Sequence, residues 1–182
     1  MTYIVLALKS EAQAFVDAFK LKKSKLSQFT FFSNEQFRLI VSGVGVTNAT
    51  MATQMLCNHF DIDKDDTFYN VGVCGAHSSH PIGSLLRVGT LHYHNHSYKL
   101  LEDGITLTCL DEPCATRNKY EAVDMESYGF YNAVIHNPAI QNYAVLKVVS
   151  DHYQPHTLTK DMVKSLLFQN IDAILSSTKG RE

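Results

Sequence analysis

Three short runs of consecutive apolar, β-favouring residues constrain the fold of this chain more than any other feature. They cover residues 2–8 (TYIVLAL), 67–73 (TFYNVGV) and 142–149 (NYAVLKVV). A strand that is apolar along its whole length is buried on both faces, as in parallel sheets that carry helices on each side. The runs therefore predict three buried strands.

Helical patterns alternate with these runs. Apolar residues recur at helical spacing within residues 14–19, 47–60 and 158–175, and the last segment is the longest. Ser10 and Gln13 have the spacing of a capping box, which predicts that the first helix begins there. Each helix would then follow a strand and return the chain to the sheet.

Shorter β-rich segments complete the pattern. Further strands are predicted at residues 28–32, 36–42, 85–94, 105–110 and 120–125. Strands that alternate with helices indicate an α/β protein, here a three-layer sandwich around a mixed, largely parallel central sheet. A chain of 182 residues suits one hydrophobic core, so residues 1–182 are predicted to form a single domain.

The ends of the predicted strands are the places to look for a site. Ligands of open α/β sheets bind outside the carboxyl ends of the strands. Glu11, Gly43, Gly72, Glu126 and Asp151 all fall at such ends. We therefore expect these residues to gather at one edge of the sheet.

The charge balance argues against a polyanionic partner. Sixteen basic and eighteen acidic residues give a formal net charge of −2, and the one lysine-rich stretch, residues 20–25, is interpreted as a solvated helix end and loop. Nucleic-acid binding needs a basic stripe, so no nucleic-acid partner is expected. No stretch approaches the ~20 apolar residues that span a bilayer, and the N-terminus lacks the layout of a signal peptide. A cytoplasmic protein without membrane contact is the expectation.

The positions of the cysteine and histidine residues give little support for a metal site or for disulfide bonds. The four cysteines (Cys57, Cys74, Cys109 and Cys114) are irregularly spaced, which fits reduced, buried thiols. His92, His94 and His96 alternate, so on a single strand they would share a face and could bind a metal; a solvent-facing strand edge explains them as well. No metal or other cofactor is predicted.

Five sequence motifs occur in an order that is typical of one enzyme family. They are residues 8–11 (LKSE), 41–45 (VSGVG), 70–76 (NVGVCGA), 123–127 (VDMES) and 149–152 (VSDH). They resemble, in turn, the M-x-x-E, S-G-I-G, V-G-S-C-G-A, V-E-M-E-A and V-S-D-H motifs of the purine nucleoside phosphorylase and nucleosidase family. On these matches the chain is identified as a member of this family, and a purine nucleoside is the implied small-molecule substrate.

The resemblance implies which residues bind the nucleoside. They are Glu126, Met125, Asp124, Gly43, Gly72, Val73, Cys74, Gly75 and Ser150. Glu126 would accept the ribose hydroxyls while Met125 packs on the sugar, and a carboxylate there suits the positive charge that develops on the sugar. A glutamate at the positive end of a helix is also stable without any ligand. The glycines would let the backbone approach the substrate, or they serve tight strand-to-helix turns.

The catalytic residues implied by the resemblance are Asp151, Glu11 and Lys147. Asp151 would protonate N7 of the leaving purine as a general acid, and a turn aspartate is the plainer alternative. Glu11 matches the residue that activates water in the nucleosidase branch, although a helix-capping acid explains it equally well. Lys147 lies where that branch carries arginine, and it would orient the water or balance the acidic site.

Several departures from the family pattern bear on the reaction. The arginines that hold phosphate in the phosphorylases are absent: Asn70 stands where the family has an arginine before the glycine turn, and Val73 replaces the serine of that turn. Only 34 residues separate Gly89 from Asp124, so the segment that encloses the base is short. Tyr128 and Tyr153 are candidates for the aromatic shelf under the base. Hydrolysis is therefore expected, with a phosphorylase or a non-catalytic nucleoside-binding protein as alternatives. The short segment implies a slow enzyme, a larger substrate or a site that a neighbouring subunit completes, and a homodimer or larger homo-oligomer is expected.

Overall fold

A ten-stranded mixed sheet and four α-helices form the protein in the computed structural model, which describes residues 1–116 and 119–177. The strands are β1 (Thr2–Leu6), β2 (Lys22–Leu26), β3 (Phe29–Ser33), β4 (Phe37–Val41), β5 (Thr67–Ala76), β6 (Leu85–Tyr93), β7 (His96–Lys99), β8 (Ile105–Cys109), β9 (Ala122–Asp124) and β10 (Asn142–Asp151). The helices are α1 (Lys9–Phe19), α2 (Val46–His59), α3 (Ser127–Ile135) and α4 (Lys160–Ser176). The predicted domain of residues 1–182 includes positions 117–118 and 178–182, which lie outside the described ranges.

The sheet closes on itself at one end. Its strand order is β10-β6-β8-β9-β5-β1-β4-β3-β2, and β10 also pairs in parallel with β5, so that β5, β10, β6, β8 and β9 form a ring. The mixed α/β fold is thus confirmed. The expectation of a largely parallel sheet is wrong, because the ten pairings divide into five parallel and five antiparallel ones.

Helices cover both faces of the sheet because side chains on a strand alternate between its faces. Phe68 and Cys74 of β5 belong to a cluster with residues of α2 and α3, whereas Tyr69 and Val71 of the same strand pack with residues of α1 and α4. The three apolar runs are buried on both faces, as predicted. They form the neighbouring strands β1, β5 and β10.

The lysine-rich stretch is a strand and not a loop. Lys22–Leu26 pairs antiparallel with β3 at the edge of the sheet and keeps its first four residues exposed. Lysine side chains on an edge strand are compatible with pairing through the backbone on the other side, and they discourage association of the free edge. The run of charged residues therefore gave no sign of a strand, and β2 forms because its backbone pairs with β3.

The three alternating histidines do not share a strand. β6 ends at Tyr93, His94 adopts a left-handed turn conformation with φ of 52°, and β7 begins at His96. No group of three or more potential metal ligands occurs within residues 1–116 and 119–177. The chain turns at the middle histidine, so the alternation does not put all three side chains on one face.

The predicted capping box of the first helix is also wrong. α1 begins at Lys9, so Ser10 lies inside the helix. The carboxylate of Glu11 instead accepts hydrogen bonds from the backbone N–H groups of Ala7 and Leu8, with N···O distances of 3.0 and 2.8 Å. Glu11 therefore links the end of β1 to the first turn of α1.

Two further observations complete the fold. Among the helices that the structure describes, none is long and apolar enough to cross a membrane. Cys74 and Cys109 are buried, whereas Cys57 and Cys114 are only partly buried. The expectation of buried thiols is therefore met at two of the four positions.

Candidate active site

A cavity of about 270 Å³ opens where β1, β5, β9 and β10 end and where α3 begins. Its volume is near the lower limit for small-molecule sites. The predicted site residues that line it are Glu11, Val73, Cys74, Gly75, Asp124, Met125, Glu126, Ser150 and Asp151. Residues that lie far apart in the sequence thus meet at one point of the fold.

Asp151 is the last residue of β10 and is 5% exposed. Its Oδ1 atom accepts a hydrogen bond of 2.6 Å from the backbone N–H of Gln154, and its Oδ2 atom lies 2.8 Å from the Ser150 hydroxyl. The Ser150 hydroxyl also lies 3.1 Å from the carbonyl oxygen of Cys74. These contacts fix the orientation of the Asp151 carboxyl group at the cavity wall.

Glu126 immediately precedes α3 and is held by the turn before α2. Its Oε1 atom accepts a hydrogen bond of 2.9 Å from the backbone N–H of Gly45, where φ is 102°. Burial raises the pKa of Glu126 to about 7, with a further increase from the nearby Asp124 that Lys147 partly offsets. Glu126 is therefore a buried carboxyl group that changes its charge near neutral pH.

Asp124 at the cavity wall forms a buried ion pair with Lys147, which does not line the cavity. The Nζ atom of Lys147 lies 2.8 Å from Oδ2 of Asp124, and each side chain is 1% exposed. Burial lowers the pKa of Lys147, but Asp124, Glu126 and Glu11 together outweigh this effect and raise it. The lysine is therefore charged among the three carboxyl groups.

Asp124 also stabilises the start of α3. Its carboxylate accepts hydrogen bonds from the backbone N–H and the hydroxyl of Ser127, at 2.9 and 2.6 Å. An oxygen acceptor at this position satisfies N–H groups that have no partner within the helix. Asp124 thereby connects Lys147 to the corner that carries Met125 and Glu126.

Glu11 reaches across the strand ends to β5. Its Oε1 atom accepts a hydrogen bond of 3.0 Å from the backbone N–H of Val73, in addition to the two that Oε2 accepts near the start of α1. Burial nevertheless raises its pKa, against these hydrogen bonds and the charge of Lys147. Glu11 is therefore a buried carboxyl group held by three backbone N–H groups.

Three predicted site residues are not among those that line the cavity: Gly43, Gly72 and Lys147. Gly72 lies below it, where a Cβ atom would be 2.9 Å from Oε1 of Glu11 and 3.6 Å from Nζ of Lys147. Gly43 has a φ of 88° and turns the chain between β4 and α2. Its neighbour Val44 reaches the cavity instead. The glycines thus make room for functional side chains and turns.

Neither tyrosine that was expected to form an aromatic shelf lines the cavity. Tyr128 stacks on Tyr93 with ring centroids 4.1 Å apart. Tyr153 is 2% exposed, and its hydroxyl donates to the carbonyl oxygen of Tyr120. Both rings are therefore engaged in packing beside the site.

Sequence reasoning missed one wall of the cavity. The segment after β8 contributes Leu110, Glu112, Pro113 and Cys114, and Pro155 and Leu158 before α4 also line the space. These residues have no regular secondary structure apart from Pro155, which begins a short 3-10 turn. Only their position after a predicted strand end could have indicated them.

The chain is similar to known proteins in its three-dimensional structure and not in its sequence. No protein-family model matches the sequence, and the comparison with curated proteins found no match. A 5′-methylthioadenosine/S-adenosylhomocysteine nucleosidase from Colwellia psychrerythraea, solved with adenine, has a TM-score of 0.79 at 16% identity, covering 97% of this chain and 95% of that one. The Streptococcus pneumoniae nucleosidase, solved with a transition-state inhibitor, has a TM-score of 0.79 at 15% identity and covers 100% and 99%.

The same fold occurs in a second type of enzyme. Futalosine hydrolase from Helicobacter pylori has a TM-score of 0.76 at 14% identity, covering 97% of each chain. At identities this low the similarity concerns the path of the backbone and does not by itself fix an activity. The chain therefore has the fold of the 5′-methylthioadenosine/S-adenosylhomocysteine nucleosidases over almost its whole length.

Proposed function

We propose that the protein hydrolyses the N-glycosidic bond of a purine nucleoside. The observation that carries this proposal is the convergence of Glu11, Glu126 and Asp151 on one cavity in a nucleosidase-like fold. Cleavage of such a bond needs a proton for the leaving base and negative charge near the cationic sugar. The three carboxyl groups, each bound by different backbone or side-chain groups, can provide both the proton and the negative charge.

Asp151 delivers the proton to the base. The Ser150 hydroxyl has one proton and two acceptors in reach, the Cys74 carbonyl at 3.1 Å and Asp151 Oδ2 at 2.8 Å. While the Ser150 hydroxyl donates to the carbonyl, a protonated Asp151 keeps its single proton for the base. Once Asp151 is ionised, the hydroxyl can turn and donate to the carboxylate. The pair therefore accommodates Asp151 before and after proton transfer.

Glu126 binds the sugar as it becomes cationic. Its Oε1 atom already accepts from Gly45, so Oε2 remains for a ribose hydroxyl. A carboxylate with a pKa of about 7 is ionised in about half of the molecules at neutral pH. Its negative charge stabilises the transition state more than the neutral substrate.

Glu11 accepts the proton of the attacking water. In the proposed step the water oxygen bonds to C1′ of the sugar, the bond from C1′ to the base breaks, and its electrons go to the base, which Asp151 protonates. The raised pKa of Glu11 makes it a better proton acceptor than an exposed carboxylate. Lys147 stabilises the negative charge of Asp124 through their ion pair, and its positive charge also lies near Glu11 and Glu126.

Water fits this site better than phosphate. Among the cavity-lining residues in the described ranges there is no arginine or lysine, whereas five are acidic: Glu11, Glu112, Asp124, Glu126 and Asp151. An anion that leaves water needs donors or cations to replace its hydration. The acidic wall would instead repel phosphate, which disfavours a phosphorylase.

The test is a base-release assay with and without phosphate. Purified protein is incubated with adenosine, inosine and 5′-methylthioadenosine, and both products are identified. We expect free base and free sugar at a rate that phosphate leaves unchanged. A phosphate-dependent rate with a sugar 1-phosphate as product would replace the proposal with a phosphorylase, and binding without base release would support a non-catalytic nucleoside-binding protein.

We also propose that the protein forms at least a homodimer. Val44 lines the cavity but is 46% exposed, and Met51 on α2, the helix that follows, is 44% exposed. A second copy that covers Val44 would bury an exposed apolar side chain and exclude water from the site. Sedimentation velocity combined with activity at increasing dilution tests this; a monomer with full specific activity would contradict it.

A further inference from the structure

The cavity wall after β8, residues 110–114, is at least partly exposed along its whole length and has no regular secondary structure. Four of these residues border the candidate active site, and all five also line a second cavity of about 340 Å³. Packing fixes a segment firmly only where its side chains are buried. Hydrogen bonds rather than packing therefore determine the position of this wall segment.

The wall segment is anchored through its first two residues. The backbone N–H of Leu110 donates a hydrogen bond of 2.8 Å to the carbonyl oxygen of Asp124. Oδ1 of Asp111 accepts from the Tyr93 hydroxyl at 3.0 Å, and Oδ2 lies 3.1 Å from Nε2 of His94. Asp111 thus connects the wall segment to the turn between β6 and β7.

Tyr93 offers Asp111 a donor that is fixed in place. Its ring stacks on Tyr128 near the start of α3, with ring centroids 4.1 Å apart, and contacts the ring of His94 edge-on at the same distance. Burial and the neighbouring Asp111 carboxylate raise the pKa of Tyr93 to about 12, so the hydroxyl keeps the proton that it donates. The hairpin of β6 and β7 therefore supplies a permanent hydrogen bond to the wall segment.

Other parts of the chain hold the carboxyl groups of the proposed reaction. The backbone N–H of Gln154 donates to Asp151, and that of Gly45 donates to Glu126. Neither donor belongs to the hairpin or to the wall segment. The hydrogen bond to Asp111 can therefore be removed while the reacting groups keep their partners.

We propose that Asp111 and Tyr93 are positioning residues that hold the wall segment against the active-site cavity. Both belong to the short stretch between Gly89 and Asp124, which thus fixes its own cavity wall. The effect on catalysis rests on the proposed function. A wall that leaves its position lowers the fraction of molecules able to bind substrate, and the apparent affinity falls with that fraction. Loss of the hydrogen bond should therefore raise KM and leave kcat nearly unchanged.

Tyr93→Phe tests the hydrogen bond because it removes the hydroxyl and keeps the ring that stacks on Tyr128. The assay uses the nucleoside that wild-type protein hydrolyses fastest. The side chain of Asp111 is 58% exposed, so water replaces part of the lost bond, and we expect KM to rise by about 2- to 10-fold. Tyr98→Phe is the matched control: Tyr98 is on the same hairpin, its ring centroid lies 5.5 Å from that of Tyr128, and its hydroxyl bonds to Tyr128. KM of the control should match wild type.

Two substitutions of Asp111 extend the test. Asp111→Ala should raise KM at least as much as Tyr93→Phe, because it also removes the contact with His94. Asp111→Asn should retain most of the wild-type KM, because its amide oxygen still accepts from the Tyr93 hydroxyl. An unaltered KM in both Tyr93→Phe and Asp111→Ala would overturn the proposal. An equal rise in Tyr98→Phe would assign the effect to packing of the hairpin and would overturn it as well.

A second measurement does not depend on hydrolysis. Cys114 lies in the wall segment and is partly buried, as is Cys57 on α2, which serves as an internal reference. Alkylation of the two thiols by iodoacetamide is followed by mass spectrometry in protein without substrate. Tyr93→Phe should speed up the modification of Cys114 relative to Cys57 by about 2- to 10-fold, and Tyr98→Phe should not.

The alkylation rates separate this inference from the proposed function. Faster modification of Cys114 in Tyr93→Phe, without base release from any nucleoside, would support the positioning role and remove the hydrolytic activity. Base release by wild-type protein with an unchanged ratio of the two alkylation rates would overturn the positioning role alone. Equal acceleration at Cys114 and Cys57 would indicate general unfolding and would also overturn it.

Discussion

The Nζ atom of Lys147 lies 2.8 Å from Oδ2 of Asp124 in a place that solvent does not reach. Asp124 in turn holds the first residue of α3 through two hydrogen bonds with Ser127. The ion pair thus connects the middle of β10 to the corner that presents Glu126. Loss of either charge would leave its partner buried without compensation.

Replacement of Lys147 with Met should destabilise the protein by about 3–5 kcal/mol, because Asp124 then loses its counter-ion. The double variant Lys147→Met/Asp124→Asn should recover part of this loss. The free energy of unfolding is measured by urea denaturation. Lys164→Met is the control: its ion pair with Asp17 is 39% and 38% exposed, and its loss should cost less than about 1 kcal/mol. If Lys147→Met and Lys164→Met lose the same free energy of unfolding, the buried ion pair contributes no more to stability than the exposed one.

Replacement of Asp151 with Asn should lower base release by about 10²- to 10⁴-fold, because an amide cannot deliver the proton. Stability should change little, since the amide oxygen can still accept from Gln154 and the amide nitrogen can donate to Ser150. Initial rates and thermal unfolding check the two parts. Asp172→Asn, on the exposed face of α4, serves as the control. Wild-type turnover in Asp151→Asn would remove its role as the acid.

The activity of the wild-type protein should rise with pH through about 7 as Glu126 loses its proton. Only the ionised form supplies negative charge to the developing sugar cation. In Glu126→Gln the rate should be lower, with kcat reduced more than KM increases, and the rise near pH 7 should be absent. A variant that retains the same pH profile would show that another group controls it.

The same substitution should stabilise the fold at alkaline pH. The pKa of Glu126 is higher in the folded protein than the ordinary value near 4.5, so its contribution to stability is greatest below pH 4.5 and is lost as the pH rises through about 7. At pH 8 Glu126→Gln should therefore be more stable than wild type by about 1–3 kcal/mol. Denaturation at pH 4 and pH 8 should show the gain only at the higher pH.

Replacement of Gly72 with Ala should disturb Glu11 directly, because the new Cβ atom would lie 2.9 Å from Oε1. We expect a loss of about 1–3 kcal/mol in stability and a marked loss of activity. Gly75→Ala is the comparison: its Cβ atom would come no closer than 3.3 Å to Val123, and the loss should be smaller. Urea denaturation and initial rates are measured for both. If Gly72→Ala behaves as wild type, Glu11 is free to move.

Much of the fold follows from local patterns in the sequence. The continuous apolar runs predicted β1, β5 and β10, because strands that are buried on both faces are apolar at every position. The 3.6-residue period predicted α4, because a helix that is buried on one side is apolar along one stripe. Glu11, Glu126 and Asp151 were expected near strand ends because each closely follows a predicted strand in the sequence. Their convergence on one cavity agrees with that expectation.

The sequence by itself thus determined the alternation of strands and helices and the strand ends at which the acidic residues stand. Only the tertiary structure decided the closure of β10 on β5, the Lys147–Asp124 pair and the wall that carries Glu112. It also decided that Lys22–Leu26 is a strand, which its pairing with β3 specifies. The physical reason is that strand register, backbone pairing and charge burial depend on neighbours distant in the chain, which local periodicity does not record.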